Sequence, residues 1–97
     1  SGLGFLARLE SVLSSRIAEQ PEGSYTARLH SQGVRRMAQK VGEEGVEVAL
    51  AAAGDEKELV SEGADLIFHL ALLLRSRGLS LADVTAELAA RHQARPG

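Results

Sequence analysis

Two acidic pairs carry the chemical interest of this chain. Glu44 and Glu47 are three residues apart, and so are Glu62 and Asp65. On an α-helix that spacing puts both members of a pair on one stripe. Lys40 lies one turn before Glu44, and His69 one turn after Asp65. Glu43 is rotated about 100° from Glu44, toward solvent or behind the stripe. A single pair of this kind is commonly just a solvated helix face. Two pairs that meet would repel, and each carboxylate resists losing its water. They then need protons or a cation. Oxygen donors, one nearby imidazole and no cysteine suit Mg²⁺, with Mn²⁺ as a substitute, better than zinc. Mg²⁺ on a few carboxylates keeps waters and accepts phosphate oxygens. The matching chemistry is phosphoanhydride hydrolysis, in which the cation neutralises charge and activates the attacking water.

The pairs meet only if the elements carrying them fold together. Phe5, Leu6, Leu9, Val12, Leu13 and Ile17 recur at helical spacing, which predicts a first helix from about Leu3 to Glu19. Pro21 and Gly23 mark a loop. Ser24-Tyr25-Thr26 leads into a short helical stretch that ends near Gln32, before Gly33. A second long helix is expected from about Val34 to Ala53, with Val34, Met37, Ala38, Val41, Val48 and Ala52 as its apolar face. Gly42 and Gly45 inside it each cost about 1 kcal/mol relative to Ala, so packing or a close approach to the backbone is expected there. Gly54 breaks the chain, and Asp55 with Glu58 reads as a cap that opens a third helix, running to about Arg77 before Gly78. Ser80 with Asp83 opens a last helix from about Leu81 to Arg91, and Arg95-Pro96-Gly97 reads as a frayed tail.

Folding the hairpin at Gly54-Asp55 fixes a register. Glu47 and Glu62 each stand about 10 Å from the turn, Glu44 and Asp65 about 15 Å, and Lys40 and His69 about 21 Å. Four carboxylates then form one square if the two stripes face each other. Between Leu59 and Leu74, eleven of sixteen residues are apolar and point all round the helix. Such a helix is buried on every side. The other helices of so short a chain hardly suffice, which points to a second subunit and a four-helix-bundle-like core built from two hairpins.

Composition sets the outer bounds. Ninety-seven residues make one all-α domain, spanning 1–97, and exclude two-domain enzymes, dinucleotide-binding folds and barrels. The absence of cysteine excludes disulfides and thiolate chemistry. A net charge of −2 is not the footprint of a nucleic-acid binder. No apolar run approaches the roughly 20 residues that span a bilayer. No leader pattern is visible, and a cytoplasmic location is expected.

Glu43-Glu44-Gly45-Val46-Glu47 followed by Glu62-Gly63-Ala64-Asp65 resembles the signature of the all-α nucleoside triphosphate pyrophosphatases. Pro21-Glu22-Gly23-Ser24-Tyr25-Thr26, Gln39-Lys40-Val41-Gly42-Glu43-Glu44 and Ala64-Asp65-Leu66-Ile67-Phe68-His69-Leu70 make the chain most similar to the phosphoribosyl-ATP pyrophosphatases of histidine biosynthesis. Gly45 departs from the Ala common in such motifs without removing a ligand. The resemblance implies Mg²⁺-dependent hydrolysis of phosphoribosyl-ATP to phosphoribosyl-AMP and pyrophosphate, in a dimer or higher oligomer. It implies Glu44, Glu47, Glu62 and Asp65 as metal ligands and Lys40 as a phosphate contact. Since the sequence lacks the cyclohydrolase domain fused to some relatives, a stand-alone enzyme is expected.

The expected reaction is in-line attack by a metal-activated water, with Glu47 as general base and Glu44 as the alternative. Lys40 has a second reading as a surface partner of Glu44. Tyr25 and Thr26 either contact the nucleotide or serve the start of the short helix, where Thr26 is a plausible cap. Arg28, Arg35 and Arg36 read as a solvated face, with the alternative that one of them, Arg28 named for it, reaches a polyanionic substrate. His69 is read as a core histidine before a ligand, and His30 and His92 as surface residues. Two other functions fit the same residues: a house-cleaning pyrophosphatase of free nucleotides, and a non-catalytic helical dimerisation module.

Overall fold

The computed structural model describes residues 2–94, and they contain helices and no strand. A 3-10 turn over Gly2–Gly4 precedes α1 (Phe5–Glu19), α2 (Tyr25–Ser31), α3 (Val34–Ala51), α4 (Glu56–Ser76) and α5 (Leu81–Ala94). The expected frayed tail at 95–97 lies outside the described residues.

The boundaries follow local chemistry. The α-helix begins at Phe5 rather than Leu3, because Gly2 and Gly4 favour helix weakly. It ends where Gln20 turns left-handed (φ 51°) and its N–H donates to Arg16 O at 3.0 Å. Pro21 then forbids continuation. Ser24, not Thr26, caps α2: its Oγ accepts from Ala27 N at 3.1 Å. Helix α3 stops at Ala51, two residues short of expectation, since the chain tightens through Gly54 N to Ala51 O (2.9 Å) to reach the extended Asp55. The Asp55 carboxylate caps α4 by accepting from Glu58 N at 2.8 Å. At the head of α5, Ser80 N donates to the Asp83 carboxylate at 2.8 Å.

Helices α3 and α4 form the antiparallel hairpin that dominates the fold, with α1 and α2 laid across it. The core is Leu13, Leu29, Met37, Ala71 and Leu72, with Leu9, Ile17, Phe68, Leu73 and Leu81 packed around it. The seam of α3 is Met37, Val41, Glu44, Val48 and Ala51, a heptad-like run at four- and three-residue steps. This differs from the expected apolar face: Val34, Ala38 and Ala52 are exposed, and Glu44, which that face did not include, sits within the seam. Nor, among the described residues, does anything approach Gly42 or Gly45, where an added Cβ would find open space within 4 Å.

Helix α4 is not enclosed within the single chain. Val60 is 71% exposed, and Ile67 joins it; across the turn, so do Val46 and Leu50 of α3. Helix α5 holds on through Leu81, whose N–H donates to Glu10 Oε2 at 2.8 Å. Every residue from Ala82 to Gln93 is exposed.

Candidate metal centre

Along α4 a seam of Glu62, Asp65, His69 and Leu72 recurs at three- and four-residue steps, half-buried at Glu62, exposed at Asp65 and buried at His69 and Leu72. Toward the core this seam is apolar; toward the turn it is acidic. Glu44 is the only carboxylate at a buried position among the described residues, and it comes from the opposite helix. Glu44, Glu62 and Asp65 each place one carboxylate oxygen within 4.8 Å of the other two. Burial first, and then the charges of Asp65, Glu47, Glu44 and Glu58, push the Glu62 carboxyl above its ordinary pKa. Carboxylates crowded this way favour a shared positive charge between them.

Glu47 is exposed and stands outside that three-way cluster. It is still near enough to bear on Glu62. No hydrogen bond or ion pair engages its carboxylate among the described residues. Lys40 lies beside the cluster, with Nζ 3.3 Å from Glu44 Oε1 and 3.6 Å from Glu43 Oε1. Burial lowers the Lys40 pKa, but the bond to Glu44 and the charges of Tyr25, Glu44 and Glu43 outweigh it and hold the ammonium above its ordinary value. Lys40 is therefore a fixed cation at neutral pH. Glu43 faces solvent, where Gln39 Nε2 donates to it at 3.0 Å and Arg36 approaches to 3.9 Å.

The start of α2 borders this centre. Tyr25 is 41% exposed, and its hydroxyl lies 2.8 Å from His69 Nε2. Its ring is edge-on to His69 at 5.8 Å and tilted against Phe68 at 6.2 Å. The Arg28 guanidinium sits 5.8 Å over the Tyr25 ring. Thr26 is buried. His69 is buried too, with Nδ1 2.7 Å from the Asp65 carbonyl oxygen, so both its nitrogens are occupied without any metal. His30 is half-buried, His92 and Arg35 are exposed, and none of them borders the cluster. The Tyr25–His69 pair was not foreseen from sequence. Its members are 44 residues apart, and only the motif segments that each belongs to hinted at a shared site.

The donor set fits a hard divalent cation. Three carboxylate oxygens converge, no thiolate is present, and the one neighbouring imidazole is already bonded at both nitrogens. A helical hairpin with a carboxylate cluster across its seam defines the class: an all-α protein whose two hairpin helices bring their acids to one place. Within that class the chain belongs to the phosphoribosyl-ATP pyrophosphohydrolase family, whose pattern matches residues 6–92.

Among its relatives is the histidine biosynthesis bifunctional protein HisIE of Photobacterium profundum, 60% identical over 91 residues, a stretch that covers 93% of this chain and 44% of that protein. The protein of the same name from Shewanella oneidensis is 56% identical over 90 residues, covering 92% of this chain and 43% of its own length. That from Xanthomonas axonopodis pv. citri is 54% identical over 90 residues, covering 92% and 44%. The chain thus spans less than half the length of these relatives. The expectation of a stand-alone enzyme does not follow from the extent of this sequence.

Proposed function

We propose that the chain is a phosphoribosyl-ATP diphosphatase of histidine biosynthesis, a single all-α catalytic domain that hydrolyses phosphoribosyl-ATP to phosphoribosyl-AMP and pyrophosphate. The observation that carries this reading is the convergence of Glu44, Glu62 and Asp65 within 4.8 Å, with Lys40 bonded to one of them, in a chain of this family. Glu44, Glu62 and Asp65 would hold Mg²⁺, with Glu47 at the rim as a further ligand or as a base. Bound there, Mg²⁺ would supply charge neutralisation for the phosphates and acidity for water.

The protein's own groups do the rest. Lys40, 3.3 Å from Glu44, would offer the phosphate oxygens a preorganised positive charge. Glu47, with its carboxylate unengaged among the described residues, would take the proton of the attacking water, with Glu44 the alternative base. The partly exposed Tyr25 would contact the nucleotide, and Arg28, over its ring, would offer donors to a phosphate. Thr26, being buried, would serve the packing of α2 rather than the ligand.

The functional unit would be a homodimer. Val46, Leu50, Val60 and Ile67 form apolar surface on both hairpin helices that one chain leaves in water. Pairing two hairpins there would give a four-helix core. No described helix is long and apolar enough to cross a membrane, and a cytoplasmic location fits a biosynthetic role.

Pyrophosphate release from phosphoribosyl-ATP tests the proposal, measured with Mg²⁺ and with EDTA, beside ATP and dCTP. Release from phosphoribosyl-ATP alone, abolished by EDTA, is the expected result. Release from ATP and dCTP but not from phosphoribosyl-ATP would make the protein a house-cleaning enzyme. Mg²⁺ binding with no turnover of any nucleotide would leave a dimerisation module.

A further inference from the structure

His69 has no part in the chemistry outlined above, yet it is buried at 6% exposure and bonded at both ring nitrogens. The Asp65 carbonyl oxygen, 2.7 Å from Nδ1, can only accept a hydrogen bond. Nδ1 therefore carries the proton. In the neutral ring Nε2 is then an acceptor, and the Tyr25 hydroxyl donates to it at 2.8 Å. The imidazole thus bridges α2 to the α4 backbone at one of the clustered acids. On the far side of the bridge, the Tyr25 ring is braced by Phe68 at 6.2 Å and carries Arg28 at 5.8 Å. The rest of the ring is open enough to move, since 41% of Tyr25 faces solvent.

We propose that His69 is a positioning residue: it holds the Tyr25 ring, and with it the nucleotide-facing start of α2, at a set place relative to Asp65. The inference rests on the reading of Tyr25 as a nucleotide contact. It makes the site's two halves, base platform and acid cluster, one rigid unit. A ring placed in advance binds its ligand without the ordering cost of a free side chain. The role therefore falls mainly on KM.

The two ring nitrogens can be separated by substitution. His69→Asn keeps a donor near the Nδ1 position and removes the acceptor for Tyr25. His69→Gln keeps an acceptor near Nε2 and releases the Asp65 carbonyl. Tyr25→Phe removes the hydroxyl from a partly exposed ring, so folding is not at stake.

Tyr25→Phe and His69→Asn should each raise KM for phosphoribosyl-ATP about tenfold, the effect of one lost hydrogen bond, with little change in kcat. The double variant should be no worse than either single one, and His69→Gln should recover most of the loss. Effects that multiply in the double variant, or a wild-type KM in His69→Asn, would overturn the proposal.

A second readout needs no turnover. In the ¹⁵N imidazole spectrum of the metal-free protein, with His69 assigned through His69→Asn, the proton should sit on Nδ1, and the Nε2 signal should move in Tyr25→Phe. A proton on Nε2 would overturn the proposal. If the wild type leaves phosphoribosyl-ATP intact, the proposed function fails, while the imidazole spectrum still decides whether the bridge exists.

Discussion

Replacing Asp65 with Asn should stabilise the protein in EDTA and destabilise it relative to wild type in Mg²⁺. The carboxylate oxygens of Asp65 and Glu44 lie within 4.8 Å of each other. Two unit charges that far apart repel by about 0.9 kcal/mol in water and about 3.5 kcal/mol at an effective dielectric of 20. Asp65 is exposed and screened, so the lower figure governs, and Glu62 adds repulsion of the same sign. Removing the charge, while keeping the shape, should therefore add about 1 kcal/mol to the metal-free protein. For a domain of this size that is about 4–8 °C in Tm.

Mg²⁺ reverses the order. A cation held only by the folded state stabilises it by about 2.7 kcal/mol at one hundred times its Kd. The variant has lost a ligand and gains less. Thermal melts at matched protein concentration, in EDTA and in 10-fold steps of Mg²⁺, should show the two curves crossing. Added salt should narrow the gap in EDTA, because the repulsion is screened. Glu44→Gln is the internal control: it relieves the same repulsion but breaks the 3.3 Å pair with Lys40, so its gain in EDTA should be smaller. An Asp65→Asn protein that melts below wild type in EDTA would refute the idea that the cluster is held together against its own charge. Equal Mg²⁺ shifts in both proteins would refute Asp65 as a ligand.

Four further outcomes are expected. Lys40→Met should lower kcat/KM by about 10²-fold, the scale of losing one preorganised positive charge or donor at a reacting phosphate, and steady-state kinetics would show it. Leu72→Ala empties a fully buried position and should cost about 3–5 kcal/mol, read from urea midpoints. In EDTA, the raised Glu62 pKa favours the protonated folded state; that contribution is fully present below the unfolded-state pKa and is lost as pH rises through the folded one, so Glu62→Gln should flatten the fall in stability over that interval. Val60→Glu, on the exposed apolar face of α4, should shift the sedimentation profile from dimer to monomer, and an unchanged profile would move the interface elsewhere.

The hairpin was legible because its punctuation is strong. Asp55 and Glu58 sit at the spacing a cap requires, and the cap forms as read. Counting 1.5 Å per residue from the turn brings Glu44 opposite Asp65, and their oxygens do lie within 4.8 Å. The face of α3 was harder to see. Its seam is interrupted by Glu44, and a periodicity built on apolar residues treats a carboxylate in the seam as a carboxylate beside it. The same substitution that blurs the pattern makes the site, since only a seam position can bring a charge from α3 between two from α4.

Glu47 marks the limit of the register argument. Rise along the axis puts it level with Glu62, but rotation and side-chain direction decide whether its oxygen joins the cluster, and it stands outside. The Tyr25–His69 bridge was out of reach for a different reason. A contact between residues 44 positions apart leaves no periodic trace; it depends on how α2 settles across the hairpin, which is set by the packing of Leu29 against Met37 and Leu72 in the core. Local signals thus determined which groups could do chemistry, and packing determined which of them are held together. Disturbing the core under α2 should therefore loosen the Tyr25 platform while leaving the acid cluster intact. Leu29→Ala should then raise KM for the nucleotide more than it weakens the Mg²⁺-induced shift in Tm.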